Sequence, residues 1–232
     1  TALLKEAIYP NLVQTLEGSP AIIHGGPFAN IAHGCNSIMA TKTAMQFGDY
    51  VVTEAGFASD LGAEKFFNIK CRKAGLQPAM SVLVATSQAL KLSGGVKEDA
   101  MKLPNMEALE KGLKNMEKHI SILKTFGQKV LVVLNRHSFD AKDEIDFMRS
   151  WCSLKDAAFA VNDGFAKGGE GAVEMAQAVV DICESASPPL NFTYDLSDDV
   201  ETKIRKIVTR IYGGKDVVLY KKAQDVLKQI KK

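Results

Sequence analysis

Short, continuous apolar runs alternate along the chain with longer stretches in which apolar residues recur every three or four positions. The first pattern predicts strands, and the second predicts amphipathic helices. The predicted strands lie at residues 21–24, 51–54, 80–86, 130–134 and 157–161. The predicted helices lie at residues 1–17, with a kink at Pro10, and at 31–47, 61–73, 105–126, 141–153, 170–185, 198–211 and 221–230.

This alternation of strands and helices indicates an α/β protein with a mostly parallel sheet and helices on both faces. Residues 130–134 are almost purely aliphatic, as in a central parallel strand that is covered on both sides. The 232 residues, 46% of them hydrophobic, suffice for one such domain with or without an appendage. We therefore expect a ligand-binding core at residues 1–186 and a helical extension of it at residues 187–232.

Charge and cysteine content argue against several classes of protein. A net charge of +2 gives no basis for binding nucleic acid or a membrane surface. The four cysteines lack CxxC spacing, and His24 and His33 have no third ligand at metal spacing, so neither a metal site nor a disulfide framework is expected. No apolar run reaches the roughly 18 residues of a membrane span. A cytoplasmic protein is expected.

Polar and aromatic residues follow the ends of the predicted strands. Phe28, Asn30 and His33 come after the first strand, and Glu54 and Phe57 lie at the end of the second. Because the carboxyl ends of parallel strands meet at one edge of a sheet, we expect these five residues to line a ligand cleft in which helix N-termini favour anions. The alternative is that loops are polar in any protein.

Two polar clusters could carry chemistry, and each also has a structural explanation. Residues 167–171, KGGEG, could bind an anion with backbone N–H groups or could simply form a turn. Glu54, Asp60 and Lys65 could serve proton or cation chemistry, but a helix cap at Ser59 or Asp60 and an exposed lysine explain two of them. No GxxxxGK[ST] phosphate-binding loop occurs in the sequence. The catalytic residues therefore remain unassigned.

Four longer motifs are more specific: HGGPFANIAHGCNS at residues 24–37, VVTEAGFASDLGAEKFFNIKCR at 51–72, VATSQALKLSGG at 84–95 and FAKGGEG at 165–171. Together they resemble the formate–tetrahydrofolate ligase (10-formyltetrahydrofolate synthetase) family. The resemblance implies a ligase that phosphorylates formate with ATP and transfers the formyl group from formyl phosphate to tetrahydrofolate. It also implies a P-loop NTPase-like core similar to nitrogenase iron protein, with Mg²⁺ and a monovalent cation, K⁺ or NH₄⁺.

The resemblance covers the central portion of the ligase. In the family, the P-loop lies upstream of the matched region and a GYGNLPVCMAKT-like segment lies downstream. Phosphoryl transfer depends on positioning and charge neutralisation, which a P-loop lysine and backbone supply. The chain alone is therefore expected to be inactive. Its expected partners are small-molecule substrates, the missing P-loop portion in cis or in trans, and further copies of itself.

The resemblance also implies a folate site, because the family stacks the pterin ring between two aromatic residues. These align with His137 and Phe165, and Phe139 could replace His137 if the loop shifts. Ser138 and Val161 adjoin these positions and are assigned to the same site.

The third motif departs from the family, which usually has VATVRALKxHGG. Ser87 and Gln88 replace Val-Arg, and Ser93 replaces His, so a cation and an imidazole are lost. Two hypotheses follow. The chain is either part of an active ligase that is completed elsewhere, or a non-catalytic relative that binds folate or scaffolds a full-length ligase.

Overall fold

The computed structural model describes residue 3, residues 5–24 and residues 35–230. Within these ranges the strands are β1 (Asn11–Gln14), β2 (Pro20–Ile23), β3 (Ser81–Ala85), β4 (Val130–Asn135) and β5 (Ala158–Asn162). The α-helices are α1 (Ile38–Ala44), α2 (Arg72–Ala74), α3 (Ser87–Ser93), α4 (Met106–Thr125), α5 (Lys142–Leu154), α6 (Gly164–Lys167), α7 (Val173–Glu184), α8 (Val200–Ile207) and α9 (Lys221–Ile230).

Tighter and wider helical turns extend some of these elements. The 3-10 turns are Glu6–Ile8 and Gly168–Ala172, and a π-helical turn at Val208–Tyr212 continues α8. Further π-helical turns, Ala58–Ala63 and Phe66–Cys71, run into α2. Residues 58–74 therefore form one continuous helix, which we call the 58–74 helix.

β3, β4 and β5 form a parallel sheet in that order, which confirms the predicted α/β class. β1 and β2 form a separate antiparallel hairpin, in which Asn11 pairs with Ile23. β4 is the central strand of the parallel sheet, and its residues 130–134 are all buried. The continuous apolar sequence of β4 reflects helices on both faces, since neither side of the strand reaches water.

We call the side of the sheet that carries Val132 and Leu134 the front face. α4 covers it because its apolar residues recur every three or four positions and so share one side of the helix. The buried members of this stripe are Leu109, Leu113, Met116, Ile120 and Leu123. The predicted amphipathic helix at 105–126 is thus confirmed to within one residue at each end.

α3 and α4 approach each other backbone to backbone on the front face. A Cβ atom on Gly94 or on Gly112 would lie 1.8 Å from a carbonyl oxygen of the facing segment, so each glycine permits the contact. Lys91 Nζ lies 3.1 Å from Glu144 Oε2, and both side chains are buried. Glu144 Oε1 also accepts a hydrogen bond from Asn105 N, 2.7 Å away. This network joins α3, α5 and the start of α4.

The opposite side, which we call the back face, is covered less completely. Leu131, Val133 and Ala160 are buried there. α7 packs on them with four half-buried side chains: Met175, Ala178, Val179 and Ile182. On β3, however, the back-facing Val82 and Val84 are 39% and 57% exposed. The cover therefore stops short of β3.

The segment after α7 packs on the 58–74 helix. Asn68 Nδ2 donates hydrogen bonds to Glu64 Oε1 (2.8 Å) and Thr193 Oγ1 (3.0 Å), and Asn68 Oδ1 accepts one from Thr193 N (2.9 Å). The Arg72 guanidinium lies 3.9 Å from the centroid of the Phe192 ring. α9 buries none of its side chains. The division at residue 186 stays a prediction.

The predicted helix at residues 1–17 is wrong. The described part of this range contains the 3-10 turn Glu6–Ile8, which is followed by β1 and the turn of the hairpin. Pro10 lacks the N–H that a helix needs and disfavours a helical conformation in the residue before it. The apolar spacing before and after Pro10 therefore belongs to two different elements.

Two further predictions around α1 need correction. Residues 51–54 form no strand, and the nearby pairing is an isolated bridge between Cys35 and Ala55. In the described part of the chain no strand lies beside this run, so its backbone has no strand partner there. The predicted helix at 31–47 is shorter in the structure, because Ser37 Oγ accepts a hydrogen bond from Ala40 N (3.0 Å) and α1 begins there.

The start of the 58–74 helix also differs from the prediction. Its N-cap is Phe57, which makes no side-chain capping bond, so neither Ser59 nor Asp60 caps the helix. Ser59 Oγ instead lies 2.7 Å from His119 Nδ1 and joins this helix to α4. No helix in the described ranges is long and apolar enough to span a membrane.

Candidate functional site

The loops that follow β4 and β5 lie side by side at the carboxyl edge of the sheet. Asn135 pairs in register with Asn162, and Asn162 Nδ2 donates to Asn135 Oδ1 (2.9 Å). Beyond this pair, Arg136 N donates to Asn162 O (3.0 Å), and Arg136 Nη1 lies 3.2 Å from Asp163 Oδ2. The predicted folate residues of these two loops therefore leave the sheet from neighbouring positions.

Buried hydrogen bonds hold the loop at residues 136–140. Asp140 Oδ1 accepts a short hydrogen bond from Ser87 Oγ, and Asp140 Oδ2 accepts one from His137 N (2.8 Å). Ser87 and Asp140 are both buried. The rings of His137 and Phe139 stack on each other, with centroids 5.1 Å apart and planes at 9°. His137 and Phe139 are thus one stacked pair rather than alternatives, and Ser138 between them is exposed.

Phe165 lies on α6, in the second loop, and its ring is 100% exposed. Asp163 begins this loop and lies 2.9 Å from Lys167 Nζ. The hydrogen bond from Lys167, with the nearby Arg136, holds the pKa of Asp163 below its usual range. The loop also closes on itself, because Asp163 N donates to Gly171 O (2.9 Å). An exposed aromatic ring is therefore carried on a well-anchored turn.

A pocket of about 360 Å³ lies beside these loops. It is lined by Arg136, Asp140, Lys142, Ile145, Val161 and Glu174. Val161 is the member of the predicted folate set that reaches this pocket. Sequence reasoning missed Arg136 and Asp140, although both lie in the NRHSFD segment that directly follows β4. Their charged side chains after a strand end were the available signal.

The other predicted cleft residues are only partly described. Phe28, Asn30 and His33 lie outside the described residues. Glu54 and Phe57 are exposed, and within the described ranges no hydrogen bond, ion pair or ring contact joins them to the 136–140 or 163–171 loops. Phe57 has φ +62°, a left-handed conformation, and is the N-cap of the 58–74 helix. The assignment of these five residues to one cleft stays a prediction.

The chemistry of the described cysteines is limited by burial. Burial raises the pKa of Cys71 and of Cys152 to about 12, so both thiols stay protonated near neutral pH. In the part of the chain that the structure describes, no group of three or more His, Cys, Asp or Glu side chains could hold a metal ion.

Comparison with known proteins assigns the family. The formate–tetrahydrofolate ligase family profile matches residues 1–232. The chain belongs to the formate–tetrahydrofolate ligase family. It is 55% identical to formate–tetrahydrofolate ligase of Parabacteroides distasonis over 231 residues and 54% identical to that of Bacteroides thetaiotaomicron over 233 residues. The Porphyromonas gingivalis ligase is 55% identical over 229 residues.

These alignments cover 99%, 100% and 98% of the present chain, respectively. They cover only 42%, 42% and 41% of the three relatives. The chain thus spans about two fifths of the length of the curated ligases that it matches.

Proposed function

We propose that the chain supplies the tetrahydrofolate side of an ATP-dependent ligase in one-carbon metabolism, which makes 10-formyltetrahydrofolate from formate through formyl phosphate. The observation that carries this proposal is the pair of ring-bearing loops at the carboxyl ends of β4 and β5. One loop presents the exposed ring of Phe165, and the other presents the stacked rings of His137 and Phe139. Ligands of open α/β sheets bind at this edge.

The pterin ring would lie between Phe165 and the His137–Phe139 pair. A flat heterocycle between two aromatic faces removes apolar surface from water and gains about 0.5–1.5 kcal/mol per ring pair beyond area burial. Ser138 and Val161 would border the same site, Ser138 with its exposed hydroxyl and Val161 from the adjoining pocket. The buried Asp140 keeps the 136–140 loop in place before the ligand arrives.

The nucleotide side of the reaction requires more than these loops. We assign Phe28, Asn30, His33, Glu54 and Phe57 to the nucleotide and formyl phosphate side. ATP with Mg²⁺ and a monovalent cation, K⁺ or NH₄⁺, would act there. Because the chain contains no GxxxxGK[ST] loop, the groups that hold the ATP phosphates come from a P-loop portion, in cis or in trans.

The position of β3 supports such a completing portion. β3 is an edge strand of the described sheet, and its back-facing Val82 and Val84 are exposed. Parallel sheets in α/β proteins are covered on both faces. The helices that cover the back face of a P-loop NTPase-like sheet continuing beyond β3 would bury both valines. We further propose a cytoplasmic, homo-oligomeric enzyme.

The alternative is a non-catalytic relative that binds folate or scaffolds a full-length ligase. The substitutions at Gln88 and Ser93, which remove a cation and an imidazole, favour it. A folate-binding relative would still bind folate at Phe165, but neither form of the alternative would make product even when a P-loop portion is present.

Calorimetry with tetrahydrofolate tests the folate site. Phe165→Ala should weaken binding about tenfold, because one stacking face and its buried area are lost. Phe165→Trp should tighten it, since a larger ring covers more of the pterin. Phe47→Ala is the matched control, because Phe47 is also strongly exposed but lies in the turn after α1. Unchanged affinity in folded Phe165→Ala protein would contradict the site.

A further inference from the structure

Glu17 makes a contact that joins two distant parts of the chain. It lies in the turn between β1 and β2, and its Oε1 accepts a hydrogen bond from Gly169 N at 2.9 Å. Gly169 belongs to the KGGEG turn that directly follows Phe165 and Ala166. The anion-binding capacity that the sequence indicates for this turn is therefore used by a carboxylate of the chain itself.

The KGGEG turn is shaped for this carboxylate. Gly168 has φ +60° and ψ −147°, a conformation that is open essentially to glycine alone. A Cβ atom on Gly168 would lie 2.8 Å from Glu17 Oε1, and one on Gly169 would lie 3.3 Å from Glu17 Oε2. Two adjacent glycines thus provide both the backbone geometry and the space for the approach.

The hairpin turn also fixes the backbone from which Glu17 extends. Thr15 N donates to Ser19 O (2.9 Å), and Ser19 N donates to Thr15 Oγ1 (3.1 Å). Gly18 has φ +80°, which allows the chain to reverse after Glu17. The turn is therefore closed, and the carboxylate is presented from a defined position. A two-stranded hairpin is marginally stable alone, so this tip contact also attaches the hairpin to the α/β core.

We propose that Glu17 is a positioning residue for folate binding, which acts by holding the KGGEG turn and, through it, the Phe165 ring. This inference rests on the proposed folate site. The inner end of the loop is held by Asp163, whose O accepts from Ala166 N and Lys167 N, both at 3.0 Å. Glu17 holds the outer end. With both ends fixed, the backbone that carries Phe165 keeps one position, so less ordering of the loop is needed when a pterin binds.

The experiment compares wild-type protein with Glu17→Ala, Glu17→Gln and the control Glu110→Ala, which removes an exposed carboxylate from α4. Two quantities are measured: tetrahydrofolate affinity by calorimetry, and hydrogen exchange of the Gly169 amide. Glu17→Ala should weaken affinity about fivefold, which corresponds to about 1 kcal/mol, and should speed exchange. Glu17→Gln should restore most of both, because its amide oxygen still accepts the hydrogen bond. The control should resemble wild type.

Other results of the same experiment would contradict the positioning role, the Glu17 contact or the folate site, and each result identifies which of these fails. Faster exchange with unchanged affinity in Glu17→Ala would overturn the positioning role. Tighter binding would also overturn it, because Glu17 would then be blocking an anion site that folate uses. Unchanged exchange would overturn the Glu17 contact itself. If wild-type protein does not bind tetrahydrofolate, the proposed function fails, and the exchange data still report on the contact independently.

Discussion

The two faces of the parallel sheet are covered by helices to different extents. On the front face, Val132 and Leu134 are completely buried beneath helices, and even the charges of Lys91 and Glu144 lie inside. On the back face, α7 covers β4 and β5 but leaves Val84 on β3 57% exposed. Burial of apolar area is the main favourable term in folding. We infer that the front face stabilises this chain and that the back of β3 receives another element.

The two edges of the sheet also differ, because backbone groups are occupied by side chains at β5 but no described strand pairs with the outer side of β3. At β5, Glu174 Oε1 accepts a hydrogen bond from Val161 N (3.3 Å) and lies 2.9 Å from Arg149 Nη2. Arg149 Nη1 in turn donates to Phe159 O (3.3 Å), so side chains occupy backbone groups of this edge. At β3, the described chain places no strand on the outer side. An uncovered edge strand is a site where another strand can pair.

The largest expected effect comes from breaking the charge pair inside the front face. Glu144→Ala leaves Lys91 buried without its carboxylate and should cost about 3–5 kcal/mol of unfolding free energy. Urea denaturation measures this. Glu107→Ala is the control, because it breaks an exposed pair with Lys111 on α4 and should change stability little. Similar losses of unfolding free energy in the two variants would contradict the burial of the Lys91–Glu144 pair in the front face.

A matched pair of valines compares the two faces directly. Val132→Ala removes two methyl groups from a fully buried position and should cost about 2 kcal/mol. Val84→Ala makes the same chemical change at an exposed position and should cost less than about 0.5 kcal/mol. Thermal or urea unfolding of both variants gives the comparison. Equal costs would mean that the back of β3 is already covered in solution.

A third effect is smaller and depends on pH. Burial raises the pKa of Glu64 from 4.5, so the folded state favours the protonated side chain. The stability that Glu64 contributes is therefore fully present below pH 4.5 and is lost as pH rises through the folded-state pKa. Glu64→Gln avoids this loss while keeping an oxygen for Asn68 Nδ2. Its advantage in unfolding free energy should grow as pH rises from about 4 to 7, unlike that of Glu110→Gln.

Much of the front face could be predicted from the sequence, whereas its long-range polar contacts could not. The aliphatic run of β4 and the stripe of α4 each follow from a local period, and both are confirmed. The hairpin at β1 is missed, because β1 is short and fully exposed and therefore shows no alternation of apolar and polar residues. The Glu17 contact with Gly169 spans 152 positions, and no local pattern reports it.

In the candidate site, too, local features could be predicted from the sequence but long-range contacts could not. The resemblance to the family predicts Phe165 and His137 as folate residues, and this assignment stays a prediction. The adjacency of their loops follows from the parallel pairing of β4 and β5. The buried Ser87–Asp140 hydrogen bond could not, because it depends on how the start of α3 meets the loop after β4. In the sequence, Ser87 is recognisable only as a departure from the family motif.

The smallest effect on stability is expected from Val84→Lys, but this variant tests what covers the back of β3. The side chain is exposed, so the chain itself should fold with nearly unchanged stability. Association with a P-loop-containing portion of a related ligase should be lost, because the charge would be buried against the added element. Leu154→Lys, at an exposed position that ends α5, should leave association intact. If Val84→Lys protein associates with the P-loop-containing portion as strongly as wild type does, the two portions do not meet at the back of β3.

In the proposed function, this chain provides the folate side of the ligase and needs a separate source of the phosphate-binding groups. Synthesis of 10-formyltetrahydrofolate should be measured at saturating ATP, formate, tetrahydrofolate, Mg²⁺ and K⁺, with the chain alone and with a separately expressed P-loop-containing portion. We expect no product from the chain alone and product on mixing. Turnover by the chain alone at about 1 s⁻¹ or faster, as in working enzymes, would contradict the account. If mixing yields no product although the chain still binds folate, the result would favour the non-catalytic relative.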